Sequence, residues 1–183
     1  MGYLVTTVND MKATDDKKSL MVEEGNRHFK QRLELHWNHV TLVRQTAEIL
    51  WKRLCDVGEL ALAQKIAMRA STHDASKFTG IEFENLHKTD FKDVDLIRAV
   101  EHHRTTNDHH PEFHVNGIKD MSREQIAEMV CDWSARSKEK GTGLREWIKD
   151  EATKRFNFSL QSKVYKDIKF FVDLLLDDPF KKI

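Results

Sequence analysis

The chain has 183 residues, enough for one domain with a real core. Thirty basic residues balance thirty acidic ones, which removes the positive footprint expected of a general nucleic-acid binder. No apolar run approaches the ~18 residues of a membrane span, and Cys55 and Cys131, the only cysteines, suit a reduced cytoplasmic protein.

Two prolines and seven glycines leave long stretches without a helix breaker, which predicts an all-α chain. Residues 1–22 mix small, polar and charged side chains without a clear period and read as a tail or docked arm. Helical spacing runs from Glu23 to Asp56, with a break or bend expected at Gly25-Asn26. At about 100° per residue, Leu33, Trp37, Val40, Ala47, Leu50 and Leu54 fall within about 140° of one another. His36 lies near the middle of that arc and His39 beyond its edge. His36 is therefore expected to point inward, as a hydrogen-bonded core residue or as a ligand.

Gly58 separates this helix from a second one, Glu59 to Ser71, rich in Ala and Leu. His73-Asp74 stands at its C-terminal end, where a side chain can turn into a cavity while the helix holds it in register. Ile81 to His87 reads as a short helix or turn, and Val94 to His103 as a helix. Arg104 to Asp120 is expected to be a loop, because Pro111 disfavours α conformation at His110. Paired histidines and a glutamate in such a loop mark either a site or a solvated polar segment. Ser122 and Gln125 form a capping box that starts a helix at Arg123. Asp132 borders the apolar stripe of that helix and needs a partner, either a salt bridge or a metal. Lys138 to Gly143 reads as a link, and Leu144 to Phe156 and Leu160 to Leu176 as helices, the last ended by Asp177-Asp178-Pro179. Residues 23–183 make a single helical domain.

Ten histidines, five of them between residues 102 and 114, are the compositional anomaly. Imidazole and carboxylate donors suit divalent metals. In chain order the donors are His36, His73-Asp74, the paired histidines and Asp132. This order resembles the HD-domain superfamily of metal-dependent phosphohydrolases. His36-Trp37-Asn38-His39-Val40 looks like that family's first motif, with the ligand four residues before a branched apolar residue, which selects His36. His73-Asp74-Ala75-Ser76-Lys77 resembles its His-Asp-x-x-Lys form, and Cys131-Asp132-Trp133 takes the place of the terminal aspartate. A small HD-like group of phages and bacteria is more similar still, through Asn107-Asp108-His109-His110-Pro111-Glu112 and Cys131-Asp132-Trp133. The similarity covers residues 30 to 170.

The resemblance implies a compact HD-type bundle of six to eight helices. It implies a metal held by His36, His73, Asp74 and Asp132, and a second held by further histidines with Asp74 bridging. Spacing does not choose within 102/103 or 109/110; His102 and His110 are taken as ligands, with His103 and His109 as alternates. One or two divalent ions are expected, with Mn, Fe, Zn, Ni, Co and Mg not separated. Asp74 and Lys77 are the expected catalytic residues, joined by Glu112 as a general acid or base or as an orienting group. Lys77 and Arg104 would bind a substrate phosphate. The implied activity is hydrolysis of a small phosphorylated metabolite, a nucleotide above others, in the cytoplasm (the host's for a viral protein). No membrane partner is expected, and a homo-oligomer is allowed. Two alternatives keep the scaffold: a nucleotide- or partner-binding protein without turnover, and a di-iron oxygenase.

Overall fold

The computed structural model describes the backbone of residues 8–177 and the side chains of residues 18–177. Residues 1–7 and Pro179, read above as part of a tail and as a helix terminator, lie outside the described residues. The described chain is all-α, without a strand: α1 Val8–Asp56, α2 Leu60–Thr72, α3 Gly80–Asn85, α4 Val94–Thr106, α5 Arg123–Lys140, α6 Leu144–Trp147, α7 Thr153–Arg155 and α8 Lys163–Leu176. A π-helical segment, Ile148–Ala152, joins α6 to α7, so that Leu144–Arg155 is one continuous rod. No described helix is long and apolar enough to cross a membrane.

The expected break at Gly25-Asn26 does not occur, because α1 runs through it. One glycine costs about 1 kcal/mol in a helix interior, too little to end a helix carried by strong packing further along. Residues 18–31 are all exposed, and α1 meets the body of the protein where Phe29 packs edge-on against Phe83 at 5.4 Å between centroids. From His36 onward one face is buried, through His39, Val40, Val43, Thr46, Ala47, Leu50 and Leu54. Leu33 and Trp37, expected inward, are 38% and 54% exposed. Leaving them out and admitting Val43 and Thr46 rotates the centre of the buried arc by about 50°, toward His39.

That face packs on α2, α5 and α8 around one apolar cluster running from Val43 to Leu174. Along α2 the buried residues Leu62, Ala63, Ile66 and Ala70 include two alanines, which let α1 approach closely. Ser122 caps α5 through the Gln125 backbone N–H, and the Gln125 side chain accepts from the Ser122 N–H at 2.8 Å, so the capping box forms as expected. The helix continues to Lys140 and closes on Gly141 at φ +64, so Lys138–Lys140 are helix and not link. Similarly, α4 takes in Arg104–Thr106 before the irregular segment begins. Two short 3₁₀ turns, Pro111–Phe113 and Gly117–Asp120, lie within that segment, and His110 is extended ahead of Pro111.

Candidate metal centre

Three elements deliver the central side chains. At the end of α2 the chain leaves helical conformation at His73 (ψ 129), and Asp74 is left-handed with φ +54. A left-handed aspartate is tolerated but uncommon, and the sharp turn lets two consecutive side chains serve one place. Both are buried, at 2% and 1% exposure. From α1 comes His39, whose Nε2 lies 3.0 Å from Asp132 Oδ1 and 3.5 Å from Asp74 Oδ2. In α5, Cys131 packs into the core and Trp133 stacks on Phe156 at 5.5 Å and meets Trp147 edge-on at 5.0 Å. Helical geometry then turns the residue between them, Asp132, toward α1 and α2.

The two oxygens of Asp74 divide the histidines. Oδ2 faces His39 Nε2 and His73 Nε2, the latter at 3.3 Å; Oδ1 faces His103 Nε2 at 3.5 Å and His109 Nε2 at 3.3 Å. Three groups with metal-ligating geometry occur among the described residues, one of them His73, His109 and Glu128, and the other two meet at Asp74. Of these two, one is His39, His73 and Asp132; the other is Asp74, His103, His109 and His110, with His110 Nε2 3.0 Å from His103 Nε2.

The free atoms support this reading. Apart from His36 Nε2 and His87 Nδ1, which lie outside these groups, the buried atoms without a hydrogen-bond partner are His39 Nε2, His73 Nε2, His109 Nε2, Asp132 Oδ1 and the two oxygens of Asp74, of which Oδ2 has the Lys77 ammonium against it. They lie close but are not aligned for hydrogen bonds, as expected of donors aimed at a common third point. Leaving a buried polar atom unpaired costs about 1–3 kcal/mol each. A cation satisfies all of them together. The opposite ring nitrogens are anchored: His39 Nδ1 to Glu139 at 2.9 Å, His73 Nδ1 to Glu128 at 2.8 Å, and His103 Nδ1 to Glu82 at 2.8 Å. A carboxylate behind each ring holds Nε2 forward and raises its basicity as a metal ligand. Arg69 in turn grips Glu128 (Nε to Oε2, 2.6 Å) and pairs with Asp108, which also accepts from Gln125 at 2.8 Å.

Electrostatics divides the two groups. Burial disfavours charge on His39, but the Asp132, Asp74 and Glu139 carboxylates outweigh it and raise its pKa to about 9. For His73, burial is likewise outweighed, here by Asp74 and Glu128, and the pKa rises to about 10. At His103 and His110 burial prevails: His103 is lowered despite Glu82, and His110 is lowered to about 2 by burial and by neighbouring His109. Against the cost of burial, His73 and Lys77 hold Asp74 well below the ordinary carboxylate range, and His39 does the same for Asp132.

Several expected site residues meet here: His73, Asp74, Asp132, His110 and the alternates His103 and His109. Lys77 joins them, buried, with its ammonium against Asp74 Oδ2. Two expected ligands do not. His36 is buried, but its ring faces Phe83 and Phe78, at 5.9 and 6.2 Å, and its Nε2 has no partner; His39 takes its place. His102 gives its Nδ1 to Glu82 at 2.7 Å, and its side chain is 50% exposed. Neighbours on a helix point about 100° apart, and His103 is the one turned inward. Arg104 and Glu112 pair with one another at 3.8 Å, and Glu112 also with Arg155 at 3.2 Å, outside either ligand group. Glu128 and Glu139 were legible: with Asp132 they fall at helical offsets of four and seven, on one face of α5. Glu82 carries no comparable signal.

A cavity of about 330 Å³ opens on the centre, lined mainly by polar side chains that include Arg69, Asp74, Asn107 and His109. Fold and donors together define the class: an all-α protein with buried His, Asp and Glu groups that could hold a metal ion. The chain belongs to a family of unknown function, DUF5662, whose profile matches residues 25–178. No curated protein and no solved structure matches it.

Proposed function

We propose that this protein is a metal-dependent phosphohydrolase of the HD type, acting on a small phosphorylated metabolite, with a nucleotide as the favoured substrate. The observation that carries this reading is Asp74, whose two oxygens each face a separate histidine group. His39, His73 and Asp132 would hold one divalent ion and His103, His109 and His110 another, with Asp74 shared. Three imidazoles in the second group favour Mn, Fe, Co, Ni or Zn over Mg, which prefers oxygen donors. Such ions supply Lewis acidity toward a phosphoryl oxygen and a water of lowered pKa.

The chain's own residues supply position and charge. Lys77, buried against Asp74, places one ammonium where a phosphate oxygen can replace the carboxylate as its partner. Glu128, Glu139 and Glu82 keep the imidazoles from rotating, so the donor set need not reorganise. A polar cavity of about 330 Å³ suits a small, charged substrate better than a polymer or a lipid. Arg104 and Glu112 have no part in this reading. The test is phosphate release by purified, metal-loaded protein over a panel of nucleotides and phosphate esters. Asp74→Ala is expected to abolish both metal retention and turnover. No release across the panel from wild-type protein of confirmed metal content would refute hydrolysis.

The nitrogen-rich second group also favours a runner-up, a di-iron oxygenase on the same scaffold. Iron in the protein as purified, with substrate-dependent oxygen uptake and no phosphate release, would decide for it.

A further inference from the structure

The imidazoles of the metal centre are held in two different ways. His39, His73 and His103 each turn Nδ1 to a carboxylate at 2.8–2.9 Å, which fixes the ring directly. His109 and His110 lack such an anchor among the described residues. His109 Nδ1 stands 3.5 Å from Glu128 Oε1, too far for a good hydrogen bond, and the His110 ring meets another imidazole, His103 Nε2, at 3.0 Å. What aims these two rings is the backbone that carries them.

That backbone is tied down one residue earlier. Both oxygens of Asp108 accept from the Arg69 guanidinium, Oδ2 from Nη1 at 3.2 Å and Oδ1 from Nη2, and Oδ2 also accepts from Gln125 Nε2 at 2.8 Å. Arg69 gives its remaining edge, Nε, to Glu128 Oε2 at 2.6 Å. Side chains of α2 and α5 thus grip the segment that joins α4 to α5. Further along it, His114 Nε2 donates to the Asp108 carbonyl at 2.8 Å and closes the segment on itself. Fork-to-fork pairing fixes direction as well as distance. Two carboxylates face this one guanidinium, an arrangement that suits holding a segment and not binding a substrate anion.

We propose that Arg69 is a positioning residue for the second metal group: through Asp108 it fixes the segment that carries His109 and His110, so that both rings stand ready for an ion. This rests on reading Asp74, His103, His109 and His110 as a metal position, but the grip itself is measurable without metal. The amides of His110, Phe113 and His114 are bonded within the segment at 3.0–3.1 Å. In metal-free protein, Asp108→Ala and Arg69→Met should speed their hydrogen exchange roughly tenfold or more, with Val130 and Cys131 of α5 unchanged. The double variant should be no faster than either single one, because both remove the same pair. Arg69→Lys, which keeps the charge and loses the fork, should fall between wild type and Arg69→Met. Of two ions bound by wild-type protein, Asp108→Ala should weaken one about 10–100-fold and the other by less than about threefold. Unchanged exchange in both variants, or faster exchange with both ions held as before, would overturn the proposal. Exchange that quickens as expected in a protein that takes up only one ion would establish the grip and defeat the two-ion reading instead.

Discussion

His36 and His39 sit three residues apart on one helix, both nearly excluded from water, and yet they do opposite things. His39 Nε2 faces two carboxylates, while the His36 ring is enclosed by Phe78 and Phe83 with an unpaired nitrogen. Burial, with Lys77 and His87 adding to it, lowers the His36 pKa to about 4. The unfolded chain takes up its proton near 6.5, so the stabilising contribution of a neutral His36 is fully present above pH 6.5. It is lost as pH falls toward 4, at no more than about 1.4 kcal/mol per pH unit. His36→Phe should therefore flatten the acid limb of stability, be neutral or stabilising at pH 7, and retain metal; urea midpoints at pH 7 and 5 measure the first two. His39→Phe should lose metal from the His39–His73–Asp132 group, as read by elemental analysis. Retention by His39→Phe together with loss by His36→Phe would restore the motif-based assignment. Behind the rings, Glu128→Gln keeps the shape but removes the charge facing His73, and should weaken metal binding about 10–100-fold. Unchanged affinity would reduce Glu128 to a structural salt-bridge partner of Arg69.

At the scale of the element, α5 does the most with the least sequence. Its capping box, Ser122 with Gln125, starts the helix that carries Glu128, Asp132 and Glu139. Ser122→Ala should cost about 1 kcal/mol in urea unfolding, without changing metal stoichiometry, since the cap lies well before Asp132. The same helix shows what could be read in advance. Cap, apolar stripe and the position of Asp132 are local in the chain, and local signals survive into the structure. The His-Asp pair at the end of α2 and the extended His110 ahead of Pro111 were legible for the same reason. The rotation of α1 was not: Leu33 and Trp37 look like core residues, and only the end of the neighbouring packing, near residue 36, shows that they are not. Which of His102 and His103 turns inward depends on where α4 docks, and the carboxylate that holds both, Glu82, comes from α3. The π segment at Ile148–Ala152 has no signature that periodicity can find.

At the scale of the whole molecule, a metal held at this centre would be coupled to protons in a way that separates its two halves. Metal binds unprotonated imidazole. With pKa values raised to about 9 and 10, His39 and His73 hold protons at neutral pH when no metal is present. Metal must displace both, so affinity in that group should rise with pH up to about 9, by as much as tenfold per unit for each proton released. His103 and His110, lowered instead, are already neutral at pH 7 and release no proton to a metal there, so the group they belong to should change less steeply with pH over the same range. Titration of metal-stripped protein should thus resolve a shallow step and a steep one. Calorimetry at pH 7 in buffers of different ionisation enthalpy should find the larger proton release at the steep step. His39→Phe should remove that step and leave the other. Thermal stability follows from the same linkage, because ligand at 100 times its Kd adds about 2.7 kcal/mol; chelation should lower the melting temperature, and more so at pH 8 than at pH 6. Equal slopes for both steps, or no proton release at pH 7, would mean that the two groups do not act as separate metal positions and that Asp74 does not divide them.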